Sequence, residues 1–239
     1  MKGFFIALQF MTRLPGPRMT VSNDEFTASM RWFPAVGLVV GALIAAGLWI
    51  GARVDPWVAA LVALGAWVWV TGALHLDGLG DIADAAGAAH KGRDRLLTVL
   101  ADPHIGSFGA VAIGMQLIAK LVLLHGLAER GAFLALILVP FAARIGPLWW
   151  TRMLPPLHEG LGARFRGMVR PGDIAGWTLA LLAAAWCVPA LLLAIGLMTL
   201  WRFWISSRIG GISGDGHGAG IELVETGLLL GIMIIGGMA

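Results

Sequence analysis

The sequence predicts an all-α, polytopic integral membrane protein with about seven transmembrane helices and an N-terminal amphipathic or half-inserted helix. Three observations carry this reading. Of 239 residues, 58% are hydrophobic and 13% charged, against roughly 45–50% and 25% in soluble domains, and the mean hydropathy is +0.83. Apolar windows able to cross about 30 Å of hydrocarbon at 1.5 Å per residue recur along the whole chain. The basic residues fall in alternate connections between those windows.

In chain order, "MKGFFIALQF" is a short apolar run followed by "MTRLPGPR" without a small-residue cleavage pattern, which favours a retained helix over a cleaved signal. Spans are expected at about 33–52, 56–76, 107–128, 131–152, 174–188, 190–209 and 217–238. Only Pro189 separates the fifth window from the sixth, so the fifth is short and either tilted or re-entrant. "KGRDRLLTVLAD", between the second and third spans, has leucines at helical spacing and reads as a short interfacial helix. Cys187 lies in an apolar run and reads as a small buried hydrophobe; with one cysteine there is no intrachain disulfide.

Arg13, Arg18 and Arg31 precede the first span, Lys91, Arg93 and Arg95 follow the second, and Arg152, Arg164, Arg166 and Arg170 follow the fourth. Arg202 and Arg208 end the sixth, whereas the alternate connections hold Arg53 and Arg130. The positive-inside rule makes the basic loops cytoplasmic. One membrane domain, 1–239, is expected, with cytoplasmic active-site loops at about 12–31, 77–106, 153–173 and 208–218. The sequence pI near 9.7 does not indicate nucleic acid, because the cations are scattered and form no basic stripe.

"ALHLDGLGDIADAAGAAHKG" sets three carboxylates at the mouth of an apolar segment. On a helix, Asp77, Asp81 and Asp84 fall within about 60° of one another. They repel, no Lys or Arg shares that face within the motif, and a divalent cation is the economical counter-charge. All-oxygen ligands favour Mg²⁺, Mn²⁺ or Ca²⁺ over Zn²⁺, and Mg²⁺ typically combines a few carboxylates with substrate phosphates. The competing reading is a polar helix end in water. His75 points roughly opposite the aspartates on an unbroken helix, as a supporting or packing residue.

A second cluster, "GGISGDGHGAGIELVE", can offer backbone N–H groups, Gly214 among them, to phosphate at a helix N-terminus. Asp215 and Glu222 share a face if that helix starts early, with Glu225 one turn deeper. Carboxylates leading an apolar helix are costly and usually functional; the alternative for the loop is a flexible connector. Asp102 in "ADPHIGSFGA" either caps the third span or joins the acidic site. Lys120 and Arg144, inside the third and fourth spans, either hold phosphate oxygens, pair with a buried acid or snorkel. Arg13 is a further phosphate candidate or a topology signal.

"FMTRLPGP", "FPAVGLVVGA", "HLDGLGDIAD", "DPHIGSFGA" and "GGISGDGHGAGIELVE" occur in this order along the chain. In these strings the chain resembles the cobalamin synthase family, the adenosylcobinamide-GDP ribazoletransferases. The resemblance implies a Mg²⁺-dependent enzyme of the bacterial cytoplasmic (inner) membrane. Such an enzyme joins α-ribazole, or its 5′-phosphate, to adenosylcobinamide-GDP and releases GMP. Asp77, Asp81 and Asp84 match the family's acidic motif and with it a metal role. Asp102, Asp215, Glu222 and Glu225 match its other acidic positions, so the expected catalytic set is Asp77, Asp81, Asp84, Asp215 and Glu222. The expected substrate contacts are Arg13, His75, Asp102, Lys120, Arg144, Gly214 and Glu225.

The chain departs from the family at Ala85, where Gly is usual, and at Ala101, Pro103 and His104, where cations usually flank the aspartate. Lys91, Arg93 or His104 would have to replace them. Gly216 and His217 stand for a more usual polar or β-branched pair, and Gly220 for Ala.

Residues and resemblance meet on phosphoryl transfer, in which a ribose hydroxyl attacks the corrinoid-side phosphate and a carboxylate takes its proton. Lipid-linked alcohol phosphotransferases use similar logic, but their Asp-Gly-x-x-Ala-Arg signature is absent. A transporter would need ionisable residues deep in several helices and repeated halves; only Lys120 and Arg144 lie deep, and no halves repeat. Self-association, association with other enzymes of the cobalamin pathway, and which carboxylate acts as base stay open.

Overall fold

The computed structural model describes residues 1–157 and 164–235, apart from the side chain of Lys91. Part of the expected 153–173 loop and the end of the last expected span lie outside the described residues. Within them the chain is helical, with one isolated parallel bridge between Pro156 and Ile212.

α1 (Lys2–Met11) turns Ile6, Ala7, Leu8 and Met11 inward. α2 (Asn23–Ala28) starts from a capping box in which Ser22 and Glu25 satisfy each other's backbone N–H. It runs through a 3-10 turn into α3 (Phe33–Gly51). α4 (Pro56–Thr71) is capped by Asp55, whose carboxylate accepts the Trp57 N–H at 2.7 Å. Gly72 (φ 61°) and Ala73 (φ 60°) are both left-handed, and the chain turns by 83° into α5 (Leu74–Ala88).

α6 (Arg93–Leu100) is a short helix where the leucine spacing places one, with Leu96 buried. α7 (Ser107–Glu129), α8 (Phe133–Ala143) and α9 (Gly146–Met153) follow. After the undescribed stretch come α10 (Pro171–Cys187), α11 (Leu193–Arg208) and α12 (Gly214–Ile235). α12 is the hub, touching α5, α7, α8, α9 and α11. α3 lies against α8 where Gly37 and Gly41 leave room; an added Cβ would come within 2.6 Å of Phe141 Cα or 2.8 Å of Ile137 Cα. Small residues permit such close backbone approach between membrane helices.

Large apolar side chains cover the outside, including Trp49, Leu61, Trp69, Val111, Met115 and Phe203, as suits a surface facing lipid. Among the described residues, five helices are long and apolar enough to cross a membrane, or six if α4 and α5 count as one bent span. This is fewer than the seven windows. The second window breaks at Gly72–Ala73, and the fifth lies in α10, a helix of 17 residues. Cys187 is exposed rather than buried, because it sits on the outer face of α10 beside Trp186, itself 91% exposed.

The bend positions the site. α5 crosses the first turns of α7 and α12: Gly80 approaches Gly109, and Gly78 approaches Asp215. It therefore lies outside the five spans, across their ends.

Candidate active site

The sequence-selected residues separate into an acidic cluster at the helix ends and a buried ionic cluster beneath it. In the first, Asp77 is exposed and Asp81 and Asp84 are half-buried, all on one face of α5. Asp215 joins them from the first turn of α12. That approach depends on Gly78, since a Cβ there would lie 2.8 Å from both Asp215 Cα and its carbonyl oxygen.

Crowding of the four carboxylates shows in Asp81. Burial pushes its carboxyl up from 3.8 to about 6, aided by the charges of Asp215, Asp77 and Asp84. Asp84 has a second task. Its oxygens accept the backbone N–H groups of Gly106 and Gly109 at 2.7 and 3.0 Å, closing the N-terminus of α7. The capping role considered for Asp102 is thus filled by Asp84, because α5 crosses the first turn of α7. Asp102 instead accepts from His104 through its backbone N–H (3.0 Å) and ring Nδ1 (2.8 Å) in the exposed α6–α7 connection. These contacts hold its carboxyl below the ordinary range.

The donor set suits Mg²⁺. Oxygen ligands crowd together, and the Asp81 carboxyl, raised first by burial, is raised further by neighbouring charges that a cation would offset. Among the described residues no three His, Cys, Asp or Glu side chains stand ready around one point. Mg²⁺ is commonly held through one or two carboxylates, water and substrate phosphates rather than in an all-protein cage.

Beneath lies a cavity of about 210 Å³ reached by α1, α3, α5 and α12. Phe10, Met30 and Phe33 form part of its apolar wall, and Asp77, Gly214 and Asp215 its acidic rim.

The second cluster is closed on itself. Lys120 Nζ lies 2.7 Å from both Glu222 Oε2 and Glu225 Oε2. Arg144 Nη1 lies 2.8 Å from Glu225 Oε1. Two cations and two anions balance, with side chains at most 3% exposed. Of the alternatives open for Lys120 and Arg144, pairing with a buried acid is the one observed. His75 completes this group: burial, then the charges of Arg144 and Lys120, hold it well below the ordinary histidine range. Its neutral Nδ1 accepts from Arg144 Nη2 at 3.4 Å. Arg13 packs its side chain on Gly72 at the α4–α5 bend, with its N–H on the Val70 carbonyl at 2.8 Å. Arg93 reaches the Leu157 carbonyl at 3.4 Å.

Sequence reading passed over Gln116, which donates to Glu222 Oε2 at 2.8 Å and Thr226 Oγ1 at 2.7 Å. A polar residue inside an apolar span, four before Lys120, was the available signal. Trp67, whose ring centroid is 4.0 Å from Lys120 Nζ, gave none.

A family model described as cobalamin-5-phosphate synthase matches residues 3–233. A protein of Novosphingobium aromaticivorans named adenosylcobinamide-GDP ribazoletransferase is 62% identical, covering 99% of this chain and 98% of its own. Proteins of the same name from Laribacter hongkongensis (51% identical; 96% of each chain) and Thiobacillus denitrificans (47%; 96% and 94%) are similar over nearly the full length. No solved structure matches. The chain belongs to the cobalamin-5-phosphate synthase family.

Proposed function

We propose that this membrane protein is an adenosylcobinamide-GDP ribazoletransferase. It joins α-ribazole or its 5′-phosphate to adenosylcobinamide-GDP, giving adenosylcobalamin or its 5′-phosphate and GMP. Family membership supports the reaction class, and the observation that carries the chemistry is the convergence of Asp77, Asp81, Asp84 and Asp215 beside a cavity.

A ribose hydroxyl oxygen bonds to the corrinoid-side phosphorus, and the bond from that phosphorus to the GMP oxygen breaks. A rim carboxylate, Asp77 or Asp215, accepts the hydroxyl proton. Asp77 and Asp81, with the remaining lone pairs of Asp84, would hold Mg²⁺. When bound, the ion supplies neutralisation of pyrophosphate charge and of the leaving phosphate. Gly214 at the start of α12 offers backbone N–H to phosphate. Glu222, Glu225, Lys120, Arg144 and His75 keep the helices that carry these groups in register. Arg13 and Asp102, at the α4–α5 bend and in the α6–α7 connection, are the outlying charged contacts for the substrates.

The distribution of basic connections supports a cytoplasmic orientation of the acidic face, at a bacterial inner membrane. The test is an assay of detergent-purified protein with both substrates, with and without Mg²⁺, following GMP and corrinoid product. Mg²⁺-dependent GMP release requiring both substrates supports the reading. Folded protein that binds corrinoid without turnover would overturn it in favour of a carrier.

A further inference from the structure

The geometry points to the cavity beneath Asp77 and Asp215 as the seat of the aromatic base of ribazole, with His217 as the residue that positions it. This rests on the proposed reaction and adds where the nucleophile sits.

At about 210 Å³ the cavity is smaller than the roughly 300–1,000 Å³ of sites that enclose a whole drug-sized ligand. It suits one ring system, and a corrinoid macrocycle is far too large. Its wall includes Phe33, with Phe10 stacked at 6.0 Å and Phe165 edge-on at 6.2 Å. Flat apolar rings match such a wall. Guanine, ringed with donors and acceptors, would leave most of them unpaired. Asp77 and Asp215 sit at the rim, where a ribose attached to a buried base would bring its hydroxyls.

His217 also lines this cavity. It is 7% exposed and stacks on Trp150 at 6.1 Å. Its Nε2 lies 3.2 Å from Thr151 Oγ1, which also lies 3.6 Å from Met30 Sδ. An imidazole nitrogen accepts better than a thioether, so the Thr151 hydroxyl donates to Nε2 and the ring hydrogen resides on Nδ1. Nδ1 is buried without a hydrogen-bond partner among the described residues, and such a donor is costly to leave unmade. The benzimidazole of ribazole presents one unsubstituted ring nitrogen, an acceptor of matching kind. The polar tail of the nucleoside and its flat base thereby find complementary ends of one cavity.

The first test uses the unaltered protein in detergent, with free 5,6-dimethylbenzimidazole as inhibitor of GMP release. It is expected to compete with α-ribazole and not with adenosylcobinamide-GDP. Competition with the corrinoid substrate, or no inhibition of an active enzyme, overturns the assignment. The second test is His217→Phe, which keeps the ring and removes both nitrogens. The KM for α-ribazole should rise about tenfold, as for one lost hydrogen bond, with KM for adenosylcobinamide-GDP and kcat unchanged. A ribazole analogue with indole in place of benzimidazole should show the same loss on the unaltered protein and no further loss on His217→Phe. An equal rise for both substrates would mark a structural role and overturn the proposal. Absence of turnover in the unaltered protein would instead count against the transferase reading.

Discussion

Arg144 Nη1 donates to Glu225 Oε1 at 2.8 Å, and neither side chain reaches the surface. Glu225 also accepts from Lys120, so one carboxylate ties α7 and α8 to α12. In an apolar bundle, removing one member leaves its partner charged and uncompensated. Glu225→Gln is therefore expected to destabilise the protein by about 3–5 kcal/mol, read as a lowered Tm in detergent. Replacing Arg144 and Glu225 together by Met and Gln should cost less than the sum of the single changes, because neither is then left opposite a bare charge. Additive losses would show that the two side chains do not act as a pair.

Asp81 and Asp84 stand one turn apart on α5 yet should fail differently when neutralised. Asp84 caps α7 through Gly106 and Gly109. Asp84→Asn presents only one acceptor and turns an NH₂ group toward a backbone donor, so a loss of about 1–2 kcal/mol is expected, along with activity. Burial, and then the charges of Asp215, Asp77 and Asp84, raise the carboxyl of Asp81. Asp81→Asn should preserve or raise the metal-free Tm while abolishing Mg²⁺-dependent GMP release. Full activity in Asp81→Asn, or an unchanged Tm in Asp84→Asn, would reverse these roles.

These two residues also show how far the sequence can be read. Spacings of four and seven residues suffice to put three aspartates on one helical face, and they do share it. That one of them would close the end of another helix depends on α5 crossing α7, which no local pattern records. The bend that produces the crossing is similarly hidden. Gly72 is an ordinary signal for a left-handed residue, but Ala73 at φ 60° is not, since such a conformation is unfavourable for a residue with a Cβ. Hydropathy windows register composition and pass straight through it, which is why 56–76 reads as one span. Lys120 and Arg144 were conspicuous as deep charges; that Glu222 and Glu225 lie equally deep and pair with them required the packing of three helices. His217 was visible only as a departure from its family, and its meaning came from Thr151 and the cavity.

The raised carboxyl of Asp81 sets a pH dependence. Its value is about 6 in the folded protein against 3.8 ordinarily, so the folded state holds the proton more tightly. In metal-free protein this contribution to stability is fully present below 3.8 and is lost as pH rises through about 6. Mg²⁺ requires the carboxylate, and its affinity should climb over the same window. The Tm increase on adding Mg²⁺ is expected to be larger above pH 6 than below it, and to lose this dependence in Asp81→Asn. A Mg²⁺ response independent of pH across that window would remove Asp81 from the metal site.

Gly78 and Asp215 test whether the α5–α12 crossing controls catalysis. A Cβ on Gly78 would meet Asp215 Cα and carbonyl oxygen at 2.8 Å, and both are backbone atoms that cannot rotate away. Gly78→Ala must separate the helices and draw Asp215 from Asp77 and Asp81. Displacing reactive groups by about 1 Å costs on the order of 10²-fold in rate, so kcat is expected to fall by that factor. The ionic cluster of Glu222 and Glu225 lies two to three turns farther along α12 and should hold the fold, so that the overpacking lowers stability by about 1–3 kcal/mol without unfolding the protein. Gly65, where an added Cβ meets nothing within 4 Å, supplies the control: Gly65→Ala should leave kcat unaltered. If Gly78→Ala keeps its rate, the acidic groups of α5 and α12 do not need this spacing, and Asp215 loses its place in the site.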